Sequence, residues 1–370
     1  MAQTEWKQVS FVNRDTPLTI TSESIDLDTC FKEDEIVVEM HSAALNPADV
    51  FMHKAAYSRL SSVKPKGTGV DYSGIIVRKG DKVDEKWAVG DKVNGLCWTV
   101  YGAHGTVSNY LIFSPVAHPA IAHMATVPQK TLDFNKEATE FDLATAWPLV
   151  FGTAYAGIFH QKRDWSKINN VLVLGASTGV GNSFVQIVKN HLKVKNVVGV
   201  CNENSIEYNK QFGFDYLVGY NGGKTLDNVR EVMKTKLDNE KFDVIFDSCG
   251  SSDFLPVMDE FLKKWDTGAY YSTVVGDVSN NYNDVNPVAL LKRRLLVEPF
   301  RRFKPWRSYN YYFNMCTEDP EVMALANKMI ESGEYIPQID SVFTFENFKD
   351  AFAKLETGKA KGKVIIKMKE

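Results

Sequence analysis

Three glycines follow directly on an apolar run near the middle of the chain. The segment reads VLVLGASTGVG from Val171 to Gly181, and an apolar-periodic stretch comes after it. This pattern predicts a buried strand, a tight turn and a helix. Backbone N–H groups at the start of such a helix bind an anion, and glycine lets the backbone approach a dinucleotide diphosphate closely. A purely structural turn is the alternative. The residues that we expect to hold the nucleotide are Gly175, Ala176, Ser177, Thr178, Gly179, Val180 and Gly181.

Two other enzyme classes compete for the same residues. The turn also spells G-x-S-x-G, the nucleophile elbow of a serine hydrolase, whose histidine follows the serine in chain order. No histidine lies beyond His191, which is in the first predicted helix after Ser177. A short-chain dehydrogenase needs Tyr-x-x-x-Lys on a helix, and the match from Tyr220 to Lys224 runs through Asn-Gly-Gly, which predicts a turn. Both classes are therefore disfavoured.

A second predicted strand ends near Cys201, twenty residues beyond Gly181. At such a strand tip an acidic residue binds the adenosine ribose 2′-hydroxyl of NAD, while small polar or basic residues leave room for the 2′-phosphate of NADP. No aspartate stands there, and the nearest cation is Lys210. We expect Cys201, Asn202, Glu203 and Lys210 to border the cofactor and to favour NADPH. NADH stays the alternative because Glu203 is close to the tip.

Composition limits the class of protein. The chain has 370 residues, 44% of them hydrophobic and 24% charged, with a net charge of −3. These values are typical of a soluble protein of about two domains and do not indicate nucleic-acid binding. Five widely spaced cysteines without a C-x-x-C pair indicate reduced thiols. The first twenty residues resemble neither a signal peptide nor a mitochondrial presequence, and no apolar run is long enough for a transmembrane helix, so we expect a cytoplasmic protein.

The pattern of short segments changes near residue 150. Up to about residue 140, short apolar runs are punctuated by glycine, proline and aspartate, which is typical of a β-rich domain. Strand-like runs then alternate with amphipathic stretches, as in a parallel sheet covered by helices. The last forty residues return to a strand, a helix and a strand, which could complete the first domain's sheet. We therefore predict an α/β protein with a β-rich domain and a doubly wound parallel-sheet domain.

The landmarks of the chain resemble the medium-chain dehydrogenase/reductase superfamily, in its zinc-free quinone oxidoreductase branch and among fungal homologues of that branch. They are AALNPAD (43–49), DYSG (71–74), VGDKV (89–93), ATAWP (144–148), GTAY (152–155), the glycine turn, FDVIFDSCG (242–250) and GKAKGKV (358–364). The resemblance implies a GroES-like catalytic domain of residues 1–143 completed by 318–370. It also implies a Rossmann domain of residues 144–317, with the active site in the cleft, and suggests a homodimer formed through an edge strand of the Rossmann sheet.

Departures from the zinc-dependent relatives indicate the chemistry. Asn46 stands where they have a ligating cysteine, and Val70 where they have a ligating histidine. A catalytic zinc needs three such ligands, so we expect no metal. Without a Lewis acid, hydride addition to a quinone or an α,β-unsaturated carbonyl is easier than addition to a simple carbonyl.

The resemblance also implies site residues. Asn46 and Asp49 would line the cleft near the nicotinamide ribose, with Tyr57 as a donor to the substrate oxygen. The alternatives are a turn opener for Asn46, a helix cap for Asp49 and a surface aromatic for Tyr57. Further cofactor contacts would come from the helix before the glycine turn and from two later strand ends. These residues are Thr153, Cys249, Gly250, Val274, Val275 and Gly276. We expect His41 and His104 to be structural.

A basic and aromatic stretch runs from Leu291 to Phe313, with seven cations against one glutamate. It is interpreted either as part of the cleft wall and a subunit interface, or as a peripheral contact with an anionic lipid surface, such as a lipid droplet or a mitochondrion. We predict a zinc-independent, NADPH-dependent oxidoreductase with a small-molecule substrate. The alternative is a non-enzymatic protein that retains the fold and binds nucleotide or a membrane surface.

Overall fold

The computed structural model describes residues 3–57, 64–99, 101–276, 296, 299–300 and 308–369. By their contacts, these residues form two compact units. The first contains residues 3–57, 64–99, 101–152 and 318–369, and the second contains residues 153–276, 296, 299–300 and 308–317. The resemblance implies a boundary between residues 143 and 144, and the units defined by contacts divide after Gly152.

The strands are β1 (Thr4–Phe11), β2 (Thr19–Ile25), β3 (Ile36–Leu45), β4 (Lys66–Gly67), β5 (Asp71–Lys79), β6 (Lys92–Leu96), β7 (Tyr110–Phe113), β8 (Ile121–His123), β9 (Asn170–Leu174), β10 (Asn196–Cys201), β11 (Tyr216–Gly219), β12 (Val244–Asp247), β13 (Tyr270–Thr273), β14 (Asn310–Phe313), β15 (Ile339–Thr344) and β16 (Lys363–Lys367).

The α-helices are α1 (Pro47–Ala55), α2 (Gln129–Phe134), α3 (Glu140–Thr145), α4 (Pro148–Phe159), α5 (Gly179–Gln186), α6 (Ile206–Asn209), α7 (Thr225–Lys236), α8 (Met258–Phe261), α9 (Pro320–Glu331) and α10 (Phe348–Glu356). A π-helical turn, Ile187–His191, continues α5. None of the helices in the described part of the chain is long and apolar enough to span a lipid bilayer.

The second unit is built on a six-stranded parallel sheet in the order β11-β10-β9-β12-β13-β14. All five residues of β9 and all four of β12 are buried, as the uninterrupted apolar runs predict for strands covered on both faces. The order reverses at β9, because β10 lies on one side of it and β12 on the other. In such sheets, ligands bind outside the carboxyl ends of the strands at that reversal. The glycine turn follows β9 and therefore lies at this edge.

The first unit contains a three-stranded sheet, β2-β1-β4, and a seven-stranded sheet. Strand β3 is central to the larger sheet, since it pairs with β5, β7 and β16. The C-terminal strand β16 runs antiparallel to β3, with Val364 opposite Leu45. The chain end is thus part of the N-terminal unit's sheet.

One predicted helix takes a different form. The sequence from Phe254 to Lys264 predicts a single helix, whereas a 3-10 segment, Ser252–Val257, precedes the single turn of α8. Pro256 lies inside that segment and has no N–H to donate, so a continuous α-helix is interrupted there.

The basic and aromatic stretch is described only in part, because residues 291–295, 297–298 and 301–307 lie outside the described residues. Its carboxyl end is the strand β14, which pairs in parallel with β13. Tyr311 in this strand is 3% exposed and packs in the core of the second unit. This aromatic residue therefore faces the protein interior and is not available to a surface contact.

Candidate functional site

The glycine turn is held tightly against the strand beside it. The amides of Gly175 and Ala176 both donate to the carbonyl of Val200, at 3.2 and 2.9 Å. Gly175 has φ +92°, and a Cβ there would lie 2.6 Å from Ser248 Oγ. A Cβ on Gly181 would lie 2.2 Å from the Gly175 carbonyl oxygen. Glycine is therefore required at both positions. The turn is so tight that α5 begins close to the end of β9.

The two hydroxyl groups of the turn have different partners. Thr178 is the N-cap of α5, because its Oγ1 accepts the Gly181 amide at 2.9 Å. The same Oγ1 lies 2.7 Å from Ser248 Oγ, which donates to the Leu174 carbonyl at 3.0 Å. The Ser177 hydroxyl instead accepts from Asn209 Nδ2 at 2.7 Å. Thr178 closes the turn internally, whereas Ser177 connects it to α6.

The tip of β10 carries the residues predicted to lie near the ribose. Cys201 is buried at the strand end. Asn202 Oδ1 accepts the Asn204 amide at 3.0 Å, and Asn202 Nδ2 lies 3.4 Å from the Tyr220 hydroxyl. Tyr220 follows β11 and is 49% exposed. The sequence analysis considers Tyr220 only in the Tyr-x-x-x-Lys motif of short-chain dehydrogenases. Its position directly after the predicted strand β11 could have placed it at the same sheet edge as Asn202.

The two charged residues predicted to lie near this tip, Glu203 and Lys210, are engaged with other parts of the second unit. A Cβ on Gly219, the last residue of β11, would lie 2.2 Å from Glu203 Cγ, so the Glu203 side chain packs against β11. Since β11 and β9 lie on opposite sides of β10, this side chain is directed away from the glycine turn. The Lys210 ammonium is paired with Glu207 at 2.6 Å, and both side chains are exposed.

Asp247 fixes the chain at the end of β12. Its Oδ1 accepts the amides of Cys249 and Gly250, at 2.9 and 2.8 Å. Its Oδ2 accepts the Ser251 amide at 2.8 Å and the Tyr271 hydroxyl at 2.6 Å. Burial raises the pKa of Asp247, and these four donors act in the opposite direction. Sequence reasoning predicted Cys249 and Gly250 at the site and missed the carboxylate that orders them.

The Cys249 thiol is not poised as a nucleophile. Burial and the neighbouring Asp247 raise the pKa of Cys249 well above its usual range. The thiol form therefore prevails near neutral pH, and the thiolate is the reactive form.

The other predicted cofactor contacts fall on the same sheet edge or on the helix before it. Thr273 Oγ1 accepts the Val275 and Gly276 amides after β13, at 3.3 and 2.9 Å. The Val274 amide donates to the Asp247 carbonyl at 3.1 Å. Thr153 lies in α4 and is 7% exposed.

In the first unit, Asn46 belongs to a buried polar cluster with Asp71 and Lys363. The Lys363 ammonium donates to Asn46 Oδ1, and to Asp71 Oδ2 at 2.9 Å. Asn46 Nδ2 donates to Asp71 Oδ2 at 2.9 Å and to the Ala44 carbonyl at 3.3 Å. Asp71 Oδ1 accepts the Leu149 amide at 2.8 Å. The whole Asn46 carboxamide is thus engaged inside the protein. Lys363 belongs to the motif GKAKGKV, and the sequence alone does not predict its contact with Asn46 and Asp71.

Asp49 lies beside this cluster in the first turn of α1. Its Oδ2 accepts the Asn46 amide at 2.7 Å as half of a capping box, and its Oδ1 accepts the Gly69 amide at 3.2 Å. Burial raises the pKa of Asp49 to about 7, although both amides and Lys363 favour its charged form. Asp49 is also among the residues that line a narrow recess, together with Met52, Trp98 and other residues of the first unit. A carboxyl with this pKa can both give and take a proton near neutral pH.

Tyr57 lies just after α1, with the Arg14 guanidinium 4.4 Å from the centre of its ring. The two histidines expected to be structural are packed against aromatic rings. His41 stacks on Phe141 and His104 on Trp6, with ring centres 3.9 and 4.2 Å apart. Burial lowers the pKa of both imidazoles.

Metal-ligating side chains do not converge in the part of the chain that the structure describes. No group of three or more histidine, cysteine, aspartate or glutamate residues there could hold a metal ion. At the positions compared with zinc ligands, Asn46 offers a carboxamide, Val70 offers no ligand, and Asp71 is bonded to a protein cation. Of the three, only the Asp71 carboxylate is a ligand type that zinc takes, and its Oδ2 is bonded to the Lys363 ammonium.

Comparisons with known proteins agree on the family. Residues 32–132 match the alcohol dehydrogenase GroES-like domain, and residues 212–366 match a family described as zinc-binding dehydrogenase. Protein YIM1 of Saccharomyces cerevisiae strain RM11-1a is 42% identical over 98% of both chains. Among solved structures, a quinone oxidoreductase from Coxiella burnetii has a TM-score of 0.70 and 16% identity, covering 99% of this chain and 100% of that one. The CurK enoyl reductase has a TM-score of 0.70 and 19% identity, covering 98% and 99%. The chain therefore belongs to the medium-chain dehydrogenase/reductase superfamily, whose members are oxidoreductases that bind NAD or NADP.

Proposed function

We propose that this protein is an NADPH-dependent oxidoreductase that reduces a quinone or an α,β-unsaturated carbonyl without a catalytic zinc. The observation that carries the proposal is the buried cluster of Asn46, Asp71 and Lys363. In this cluster the Asp71 carboxylate accepts from the Lys363 ammonium. Both the oxygen and the nitrogen of the Asn46 carboxamide form hydrogen bonds within the protein. A zinc ion bound by Asp71 would lie beside this ammonium and be repelled by it.

The lack of suitable zinc ligands determines which acceptors are favoured. Reduction of a simple ketone benefits from a Lewis acid on the carbonyl oxygen. A quinone or an enone is already electron-poor, so it needs orientation and a donor for the developing oxyanion. The printed names of two structural neighbours, a quinone oxidoreductase and an enoyl reductase, fit this class of acceptor.

The residues after β9 and β12 fit a dinucleotide. Glycine is sterically required at 175 and 181, so the turn is tight and α5 begins close to the end of β9, where a diphosphate binds in such sheets. When bound, the reduced nicotinamide supplies the hydride. The chain's own contribution is to bind and orient this group through the glycine turn and the backbone segments after β12 and β13, whose conformation Asp247 and Thr273 fix through hydrogen bonds to their amides.

NADPH is favoured by the residues at the tip of β10. Asn202 and the Tyr220 hydroxyl are neutral hydrogen-bonding groups that can accommodate a 2′-phosphate. The nearby acid, Glu203, packs against β11 and away from the glycine turn. It is therefore poorly placed to accept from a ribose 2′-hydroxyl, as the acid of an NAD site does.

In the first unit, Asp49 and Tyr57 are the groups that can move a proton. Asp49 is the stronger candidate because its pKa of about 7 suits either direction of transfer and it lines a recess. Tyr57 can donate from its hydroxyl to a substrate oxygen. Asn46, whose carboxamide is fully bonded, acts as a positioning residue for the start of α1.

The test is NADPH oxidation by the purified full-length chain with a quinone, an enone and a saturated ketone, each with and without a zinc chelator. We expect oxidation with the quinone or the enone, little with the ketone, and no effect of the chelator. The Gly181→Ala variant, whose added Cβ meets the Gly175 carbonyl, is the blank for non-enzymatic reduction.

Two results would contradict the proposal. Reduction of the saturated ketone that the chelator abolishes would make the protein a zinc enzyme. NADPH binding without turnover of any acceptor would favour the non-enzymatic alternative.

A further inference from the structure

We propose that Ser177 donates its hydroxyl hydrogen to the diphosphate of the cofactor, and that Asn209 is the positioning residue that directs it there. This inference rests on the proposed nucleotide binding and adds a specific donor to it. The residues belong to two elements of the second unit. Ser177 lies in the glycine turn between β9 and α5, and Asn209 is the last residue of α6.

The orientation of the Asn209 carboxamide follows from a carbonyl group. The atom assigned as Nδ2 lies 2.8 Å from the Ser205 carbonyl oxygen, which can only accept a hydrogen bond. The nitrogen must therefore be on this side of the carboxamide. The same nitrogen lies 2.7 Å from Ser177 Oγ, so the serine oxygen accepts. Its single hydrogen must point elsewhere and is available to an anion at the turn.

The neighbouring hydroxyl shows the contrast. Thr178 Oγ1 accepts the Gly181 amide and donates within the protein, to the Gly175 carbonyl at 2.9 Å or to Ser248 Oγ at 2.7 Å. Its hydrogen is therefore used inside the fold. Of the two adjacent hydroxyl groups, Ser177 is the one with a hydrogen left for a ligand.

Asn209 also has an unusual feature that stability does not explain. The residue is fully buried, and its Oδ1 has no hydrogen-bond partner among the described residues. An unpaired buried carbonyl oxygen is unfavourable, and such groups call for an explanation. The carboxamide that carries this unpaired oxygen lies next to the glycine turn, because its nitrogen donates to Ser177 Oγ. The role of this carboxamide in orienting the serine hydroxyl accounts for the unfavourable unpaired oxygen.

The experiment measures the affinity of the full-length chain for NADPH and for NADH by isothermal titration calorimetry. The variants are Ser177→Ala, Asn209→Ala and the double variant, and the thermal midpoint of each without nucleotide checks its folding. Ser166→Ala is the matched control, because Ser166 is exposed in the second unit and its hydroxyl donates to the Asp164 carboxylate at 2.6 Å. A hydrogen bond to a charged group contributes enough that Ser177→Ala should weaken binding about tenfold or more.

The expected pattern has three parts. Ser177→Ala and Asn209→Ala each weaken NADPH and NADH by a similar factor, because the diphosphate is common to both. The double variant binds no more weakly than Ser177→Ala, because Asn209 acts through the serine. Ser177→Ala stays folded, with a thermal midpoint somewhat below that of the parent because an Asn209 Nδ2 hydrogen loses its acceptor. Ser166→Ala keeps the parent affinity.

Other results would overturn the inference. A Ser177→Ala variant that binds both nucleotides within twofold of the parent shows that the hydroxyl is not a ligand. Losses that are fully additive in the double variant show that Asn209 does not act through Ser177. A loss confined to NADPH would assign the hydroxyl to the 2′-phosphate instead. If the parent protein itself binds neither nucleotide, the proposed function fails as well, so the two failures are distinguishable.

Discussion

The ammonium of Lys363 lies 2.9 Å from Asp71 Oδ2, although 292 residues separate them in the sequence. Only 5% and 0% of the two side chains are exposed. The pair joins the first residue of β16 to the first residue of β5 within one sheet. The position of the C-terminal strand in the first unit is therefore coupled to the charge of Asp71 and, through it, to the Asn46 carboxamide.

Lys363→Met should lower the free energy of unfolding by about 3 to 5 kcal/mol, because it leaves the Asp71 carboxylate buried without its cation. Urea denaturation of the parent and the variant measures this loss. The double variant Lys363→Met with Asp71→Asn removes both charges and should recover part of it. A loss below about 1 kcal/mol in the single variant would mean that the pair is not buried in solution.

Asp49→Asn should change how stability depends on pH. Burial raises the pKa of Asp49 from about 4 in an unfolded chain to about 7 in the folded one. The folded state thus binds this proton more tightly, so the contribution of Asp49 is fully present below about pH 4 and is lost as the pH rises through about 7. This loss amounts to at most about 4 kcal/mol.

The measurement for Asp49 is urea denaturation of parent and variant at about pH 5 and about pH 8. The parent should lose more unfolding free energy than Asp49→Asn between these two values. Taking the change between the two pH values within each protein cancels the pH-independent effect of the capping hydrogen bond that asparagine weakens. Equal losses in both proteins would show that Asp49 does not titrate in this range.

Thr178→Val should destabilise the fold by about 1 to 2 kcal/mol, since it removes the N-cap of α5 and leaves Ser248 without its hydroxyl partner. Thr178→Ser keeps the hydroxyl and should stay close to the parent protein. Chemical denaturation without nucleotide is the measurement. A Thr178→Val variant as stable as the parent would contradict the structural role assigned to this hydroxyl.

Local patterns predicted much of the fold, including the glycine turn between a buried strand and a helix. The apolar runs before the glycine turn and before Cys249 are the buried strands β9 and β12, because a strand covered on both faces is apolar throughout. Long-range partners could not be predicted in the same way. Nothing near Asn46 in the sequence shows that Lys363 bonds its side chain, and nothing near Ser177 shows that Asn209 orients it. Such contacts are set by the tertiary structure, not by spacing along the chain.

Asn202→Asp should reverse the preference between the two nucleotides. Asn202 lies at the tip of β10 with its carboxamide 3.4 Å from the Tyr220 hydroxyl, where a carboxylate would repel a 2′-phosphate and accept from a 2′-hydroxyl. We expect NADPH affinity to fall at least about tenfold while NADH affinity holds or rises. Glu203→Gln is the matched control: its side chain packs against Gly219, so it should leave the preference unchanged. Calorimetric titration with both nucleotides decides the matter. If Glu203→Gln instead weakens NADH and Asn202→Asp has no effect, Glu203 is the ribose-binding acid and the protein prefers NADH.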